Sequence, residues 1–220
     1  MSALSQAQSH VRYPLTTIFG SVGNVRVLRA LVTDHSPQSA PQLARLTGLS
    51  PQGARLVLDA LARQQLVKVY GSGRAQLYAL NESHLFASAL VALFQEEQQR
   101  WERLLTTIRE MLAKHGTAVR AAWLYGSVAR AEDTPRSDLD IALLVSSSDV
   151  ADQIREDLMP LEDEQQLNIS LTALTPKELA ALPDDDRWWS DVVRDARVLK
   201  GSAPEAAKRQ VAKAKAEARA

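Results

Sequence analysis

The amino-acid sequence predicts an α+β protein made of two unlike parts joined by one long helix. Three observations carry this. Residues 14–65 hold helical segments punctuated by Ser36-Pro37 and Ser50-Pro51, and residues 66–80 hold two alternating stretches around a Gly-rich turn. Residues 83–114 form one amphipathic run, and beyond residue 119 short apolar runs alternate with helical patterns.

The first helix is expected from about Pro14 to His35, with Leu15, Ile18, Val25, Leu28, Leu31 and Val32 inward and an interruption at Gly20 or Gly23. Ser36-Pro37 ends it, because the residue before a proline is pushed out of the helical region. A short helix follows from Ser39 to Thr47, closed by Gly48 as a C-terminal cap. Ser50 as N-cap and Pro51 in the first turn then open a helix to about Gln65, with Ala54, Val57, Leu58 and Leu61 inward. Leu66–Tyr70 and Gln76–Leu80 around Gly71-Ser72-Gly73-Arg74 make a β-hairpin. Ser83 to Lys114 is the long helix, in which Phe94, Trp101 and Ile108 recur every seven residues, as do Leu90, Leu104 and Met111. That spacing fits a helix packed on both parts equally well as a coiled-coil seam between two copies, a homodimer.

In the second part Ala121–Tyr125, Asp138–Val145 and Leu167–Ala173 read as strands, and Asp149 to about Gln166 as a helix. Thr175 and Glu178 have capping-box spacing and open another helix. Residues 203–220 read as a loose helix or a disordered basic tail. The expected divisions are therefore 1–82, a connecting helix 83–116, 117–202 and the tail 203–220.

Composition narrows the function classes. With 220 residues, 45% hydrophobic and 24% charged, the chain has room for two small soluble domains. The absence of cysteine excludes disulfides and thiolate metal sites. No apolar run reaches the roughly 18–20 residues of a membrane span, and the N-terminus lacks the apolar core of a secretory signal, so the expected location is cytoplasmic. The net charge of zero conceals segregation. Residues 1–80 carry 8 Lys/Arg against 2 Asp/Glu, residues 117–202 carry 9 against 17, and residues 203–220 carry 5 against 2. A basic first part suits a polyanion, and an acidic second part suits a metal site.

Three helices followed by a hairpin resemble the winged helix-turn-helix of the bacterial MarR and ArsR regulators, over about residues 14–80. The resemblance implies double-stranded DNA as a partner. Gln52 and Arg55 at the start of the third helix would read base edges, and Arg74 at the hairpin tip would enter a minor groove or meet a phosphate. Arg12, Arg26, Arg45 and Lys68 would add attraction to the backbone.

The chemistry is concentrated in Leu124–Leu144. Gly126-Ser127 sits where a buried strand turns into a helix, a place where backbone N–H groups face outward and a phosphate can approach closely. Ser127 adds a hydroxyl, and Arg130 follows one turn later. Asp138 and Asp140, two apart on a strand, fall on one face, while Leu139, Ile141 and Leu143 fall on the other. Two adjacent carboxylates repel unless a cation joins them, and oxygen ligands beside a phosphate suit Mg²⁺.

This stretch, with Arg130, Glu132 and Ser137 in its flanks, resembles the signature of the minimal nucleotidyltransferases of the DNA polymerase β superfamily. The resemblance implies that Gly126, Ser127, Arg130 and Ser137 bind a nucleoside triphosphate, ATP in the first instance. It further implies that Asp138 and Asp140 are catalytic and ligate Mg²⁺. Ala131 stands where the family usually has glycine. The family's third carboxylate lies on a later strand, and here Leu167–Ala173 offers Asn168, Ser170 and Thr172 at the polar alternates. Asn168 is the first candidate for that position and Ser170 the second; neither is a base near neutral pH.

Trp188 and Trp189 are expected in the core rather than as a lid, and His10, His35, His84 and His115 at the surface. Two functions follow. One is Mg²⁺-dependent transfer of a nucleoside monophosphate to an unknown acceptor by a protein that also binds DNA. The other is a DNA-binding transcriptional regulator whose second domain only binds nucleotide.

Overall fold

The structure, a computed structural model, describes residues 11–183 and 185–217; His10 and Asp184 lie outside these, as does the side chain of Arg74. The chain is α+β and divides after Trp101 into two compact units.

The first unit opens with α1 (Leu15–Ile18) and α2 (Val22–Thr33), two helices where the periodicity predicts one. The reason is a cap. The Ser21 hydroxyl accepts from the Asn24 N–H at 3.0 Å, and the Asn24 amide donates back to the carbonyls of Thr17 and Ile18 at 3.1 Å each. Then come β1 (Gln38–Ser39), α3 (Ala40–Thr47) and α4 (Pro51–Arg63). Ser39 and Gln42 form a capping box, Gly48 ends α3 at φ +66°, and the Ser50 hydroxyl caps α4 at the Gly53 N–H, 3.0 Å away. β2 (Val67–Tyr70) and β3 (Leu77–Leu80) are joined by a single 3-10 turn, Gly73–Ala75. The sheet order is β1-β3-β2, antiparallel throughout. The helices α2, α3 and α4 and a small antiparallel sheet make this a winged helix. Its core is Val27, Leu28 and Leu31 of α2, Leu43 of α3, and Leu58 and Leu61 of α4, with Leu90 and Phe94 from the next helix.

That helix, α5 (Ala87–Lys114), runs through the division between the units. Its heptad residues do not form an exposed stripe. Leu90, Phe94, Leu104 and Ile108 are buried within the chain, and Trp101 is half-buried. Intrachain packing therefore accounts for the seven-residue spacing, which leaves it no motive for a homodimer.

The second unit is built on β4 (Val119–Tyr125), α6 (Gly126–Ala129), β5 (Leu139–Val145), α7 (Ser148–Gln165), β6 (Ile169–Leu174), α8 (Pro176–Leu179), α9 (Arg187–Asp195), β7 (Arg197–Lys200) and α10 (Pro204–Glu217). The sheet order is β6-β5-β4-β7, with β5 and β6 parallel and the other pairs antiparallel. This is the mixed sheet expected of the second part. α7 packs on β5 and β6 and buries Ala151, Ile154, Leu158 and Leu161, which recur at helical spacing. On the opposite face Ala121, Trp123, Tyr125, Ala142 and Leu144 meet Leu179, Trp189 and Val192. Of the two readings of the last segment the helix is the one seen, over Pro204–Glu217, and Ala207 and Val211 of α10 belong to that same cluster. Lys200 Nζ donates to the carbonyls of Leu112 and Gly116 at 2.9 and 2.7 Å, closing the C-terminal end of α5. Among the described residues, no helix is long and apolar enough to cross a membrane.

Candidate functional site

The end of β4 and the beginnings of β5 and β6 lie side by side. Tyr125 is paired with Asp140, and Asp140 with Ser170. These three residues share the face of the sheet that α9 covers. Gly126 follows Tyr125 directly, at φ +77°. A Cβ there would strike the Asp140 carboxylate, whose Cγ would be 3.2 Å away. The glycine is thus required by the carboxylate beside it as well as by the turn, a need that sequence alone does not reveal. α6 is a single turn whose start no side chain caps, so its first N–H groups are left for a ligand or water.

Asp138 is exposed and Asp140 half-buried. Burial, and then the neighbouring charge of Asp138, push the Asp140 carboxyl above the ordinary carboxylate range; a hydrogen bond from Ser170 and the charge of Arg130 pull the other way. A cation bound to both carboxylates would relieve the repulsion and the cost of burial together, so the pair fits a hard divalent ion. No group of three or more His, Cys, Asp or Glu that could hold a metal occurs among the described residues. Phosphate oxygens and water would have to complete the shell, which is how Mg²⁺ is usually held.

The other residues singled out from the sequence divide into those near this pair and those already committed. Arg130 Nε donates to Glu132 at 2.8 Å, and its NH1 donates to Asp195. Ser137 closes the turn before β5: its N–H reaches the Thr134 carbonyl at 2.9 Å, and its hydroxyl accepts from the Thr134 N–H at 3.0 Å. The register reverses the order of the two third-acid candidates. Ser170 is level with Asp140 across the β5–β6 ladder, whereas Asn168 precedes β6 and is exposed, with its carbonyl accepting from Leu139 N–H at 2.8 Å. Glu162, an alternative acid, is engaged as acceptor for the Ile169 N–H at 2.5 Å. Sequence reasoning missed Asp195, which lies 65 residues from its partner Arg130 and carries no local signal.

Trp189 packs edge-on against Trp123, with ring centres 5.9 Å apart, as expected of a core residue. Trp188 instead stands edge-on to Tyr125, and its Nε1 donates to the tyrosine hydroxyl at 3.0 Å. It therefore walls the residue next to Gly126. His115 is no free surface residue, since Asp157 pairs with it at 2.9 Å.

Ala131 has φ +57°, a left-handed conformation in which glycine carries no penalty. Ala131→Gly is expected to raise stability by about 0.5–1 kcal/mol, after the greater freedom of glycine in the unfolded chain is allowed for. Urea unfolding checks this, and an unchanged or lower midpoint would mean that the loop already relaxes around the alanine.

In the first unit, α4 presents Gln52 and Arg55 to solvent, together with Leu56, which is 63% exposed. Asp59, one turn on, is exposed too, and a further cation, Arg63, is exposed in the last turn of the helix. Arg12, Arg26, Arg45 and Lys68 are exposed, and Arg26 also donates to the Thr47 carbonyl at the end of α3 at 3.3 Å. The backbone of Arg74 lies in the turn at the hairpin tip.

No curated protein matches the chain. Among solved structures, a toxin–antitoxin crystal structure with AMP-PNP is 16% identical, over 51% of this chain and 87% of that one, at a TM-score of 0.37. A predicted DNA-binding transcriptional regulator from E. coli is 23% identical over 44% and 98%, at 0.34. A MarR family transcriptional regulator from Silicibacter pomeroyi is 21% identical over 48% and 76%, also at 0.34. Residues 106–181, which contain β4, the Gly126 turn and both aspartates, match the family model of polymerase beta nucleotidyltransferases.

Proposed function

We propose that the second unit binds a nucleoside triphosphate, ATP in the first instance, in a Mg²⁺-dependent way and transfers its nucleoside monophosphate to an acceptor hydroxyl. The observation that carries this reading is the Gly126 turn lying against Asp140, with Asp138 just ahead of β5 and its charge felt by Asp140. Asp138 and Asp140 would hold the ion, which when bound supplies neutralisation of the phosphate charge. Ser127 and the first N–H groups of α6 face the phosphates, and Arg130 stands one turn further on. Attack on the α-phosphate then releases pyrophosphate. Calorimetry with each triphosphate, with and without Mg²⁺, tests the reading. Binding should require Mg²⁺ and fall by at least about tenfold in Asp138→Ala/Asp140→Ala, since each charge-assisted contact is worth roughly 1.5–3 kcal/mol. Equal affinity for the parent and the double variant in Mg²⁺ would overturn it.

A second reading, a DNA-binding regulator that senses nucleotide without turning it over, is favoured by Ser170, a hydroxyl where a carboxylate would serve as base. Both readings give the winged helix double-stranded DNA, with Gln52, Arg55 and Arg74 toward the duplex. Electrophoretic shifts of the full chain should weaken steeply with salt as counterions are released. Retention that does not change with salt would remove the DNA claim and leave the nucleotide claim intact.

A further inference from the structure

We propose that Asp195 is a positioning residue that aims Arg130 at the phosphate site, and that Glu132 is the exchangeable counter-ion that an incoming triphosphate displaces. The inference rests on the nucleotide-binding reading of Gly126–Asp140 and assigns opposite roles to two carboxylates on one guanidinium.

The two partners of Arg130 differ in every respect that decides which gives way. The Asp195 side chain is 2% exposed and that of Glu132 is 65% exposed. Asp195 is held a second time, by Arg194, whose Nε and NH2 donate to it at 2.8 and 3.0 Å; Arg194 also pairs with Asp191 at 2.8 Å. It is the last residue of α9, a helix capped at its start by Asp186, which accepts from the Trp189 N–H at 2.7 Å, and anchored in the core through Trp189 and Val192. Glu132 has no such frame; it lies in the loop after α6.

Removing one partner from a buried ion pair is costly, whereas an exposed pair contributes little. A polyphosphate approaching Arg130 therefore takes the place of Glu132 and leaves Asp195 in position. The guanidinium stays held by Asp195 at the end of the single turn that begins at Gly126. Arg194 and Arg130 hold the Asp195 carboxyl well below the ordinary carboxylate range, so it remains an acceptor throughout the neutral range.

Calorimetry of Mg²⁺-ATP binding to the full chain tests this with Asp195→Asn, Glu132→Gln, Arg130→Ala and the double variant Arg130→Ala/Asp195→Asn. Asp195→Asn is expected to weaken binding about tenfold. Glu132→Gln is expected to tighten it by about two- to fivefold, the size of a lost exposed pair. In the Arg130→Ala background, Asp195→Asn should add nothing. Equal losses from Asp195→Asn with and without Arg130 would overturn the positioning role, because the effect would then be structural. Weaker binding by Glu132→Gln would overturn the exchange on its own, and that variant needs no change in the buried carboxylate. Absence of Mg²⁺-dependent binding by the native chain would bring down the underlying reading instead, an outcome that none of the variant comparisons can mimic.

Discussion

Gly126→Ala is expected to reduce Mg²⁺-triphosphate binding as far as Asp140→Ala does, although the methyl group touches no phosphate. Two effects combine at this position. At φ +77° an alanine is strained by about 1–2 kcal/mol, a cost felt in stability. Its Cβ would also lie within 3.2 Å of the Asp140 Cγ and closer still to a carboxylate oxygen, so the carboxylate must swing away. Asp140 cannot retreat freely, since its backbone is paired with Tyr125 on one side and Ser170 on the other. The ligand geometry shared with Asp138 is therefore lost before the fold is. Thermal unfolding with calorimetry separates the two effects. A midpoint lowered by roughly 2–4 °C per kcal/mol of strain, together with at least about tenfold weaker binding, is the expected pair of results. Native affinity in a destabilised Gly126→Ala protein would show that the glycine serves only the turn and that Asp140 is not a ligand.

What could be read from the sequence, and what could not, follows from the range of the interactions. Caps are local, and those of Ser39, Ser50 and Thr175 lie where their spacing places them. The apolar run of β5 is local too: residues 141–145 are buried whichever face they take, and only Asp140 near the start stays half-exposed. The two-residue strand β1 has no period to detect, and it exists only because Gln38 and Ser39 pair with Tyr78 and Leu77. β7 is similar: it pairs with β4 across some 75 residues, and nothing inside Arg197–Lys200 announces it. The heptad of α5 is the opposite case, a clear period that two arrangements share, and Leu90, Phe94, Leu104 and Ile108 are buried within the chain. In the site, residues adjacent in sequence were legible and those brought in by the sheet or by α9 were not. Asp195 is the clearest case, and the ranking of Ser170 over Asn168 is another. Both depend on register and docking, which composition does not encode.

The same register decides where turnover can be restored. Ser170→Asp is expected to raise nucleotidyl transfer by about 10²–10⁴-fold over a slow native protein, the usual contribution of a positioned general base. Its motivation is the pairing of Ser170 with Asp140 across the parallel strands β5 and β6, which puts both side chains on one face. In the native chain that place holds a hydroxyl, which cannot take a proton from an acceptor near neutral pH. A third carboxylate should leave triphosphate affinity nearly unchanged, because in the proposed reading the phosphates are met from Gly126, Ser127 and Arg130. Without Mg²⁺ it adds a like charge beside Asp138 and Asp140, so the apo protein should lose stability as pH rises through the carboxylate range. Mg²⁺ should restore that loss. Asn168→Asp is the paired comparison; exposed and ahead of β6, it should accelerate transfer less. Initial rates with labelled ATP and cell extract as acceptor source, read beside calorimetric affinities, distinguish a gain in chemistry from a gain in binding. Fast native turnover that neither substitution alters would place the base elsewhere. A dead Ser170→Asp variant with intact Mg²⁺-triphosphate binding would favour the nucleotide-sensing regulator instead.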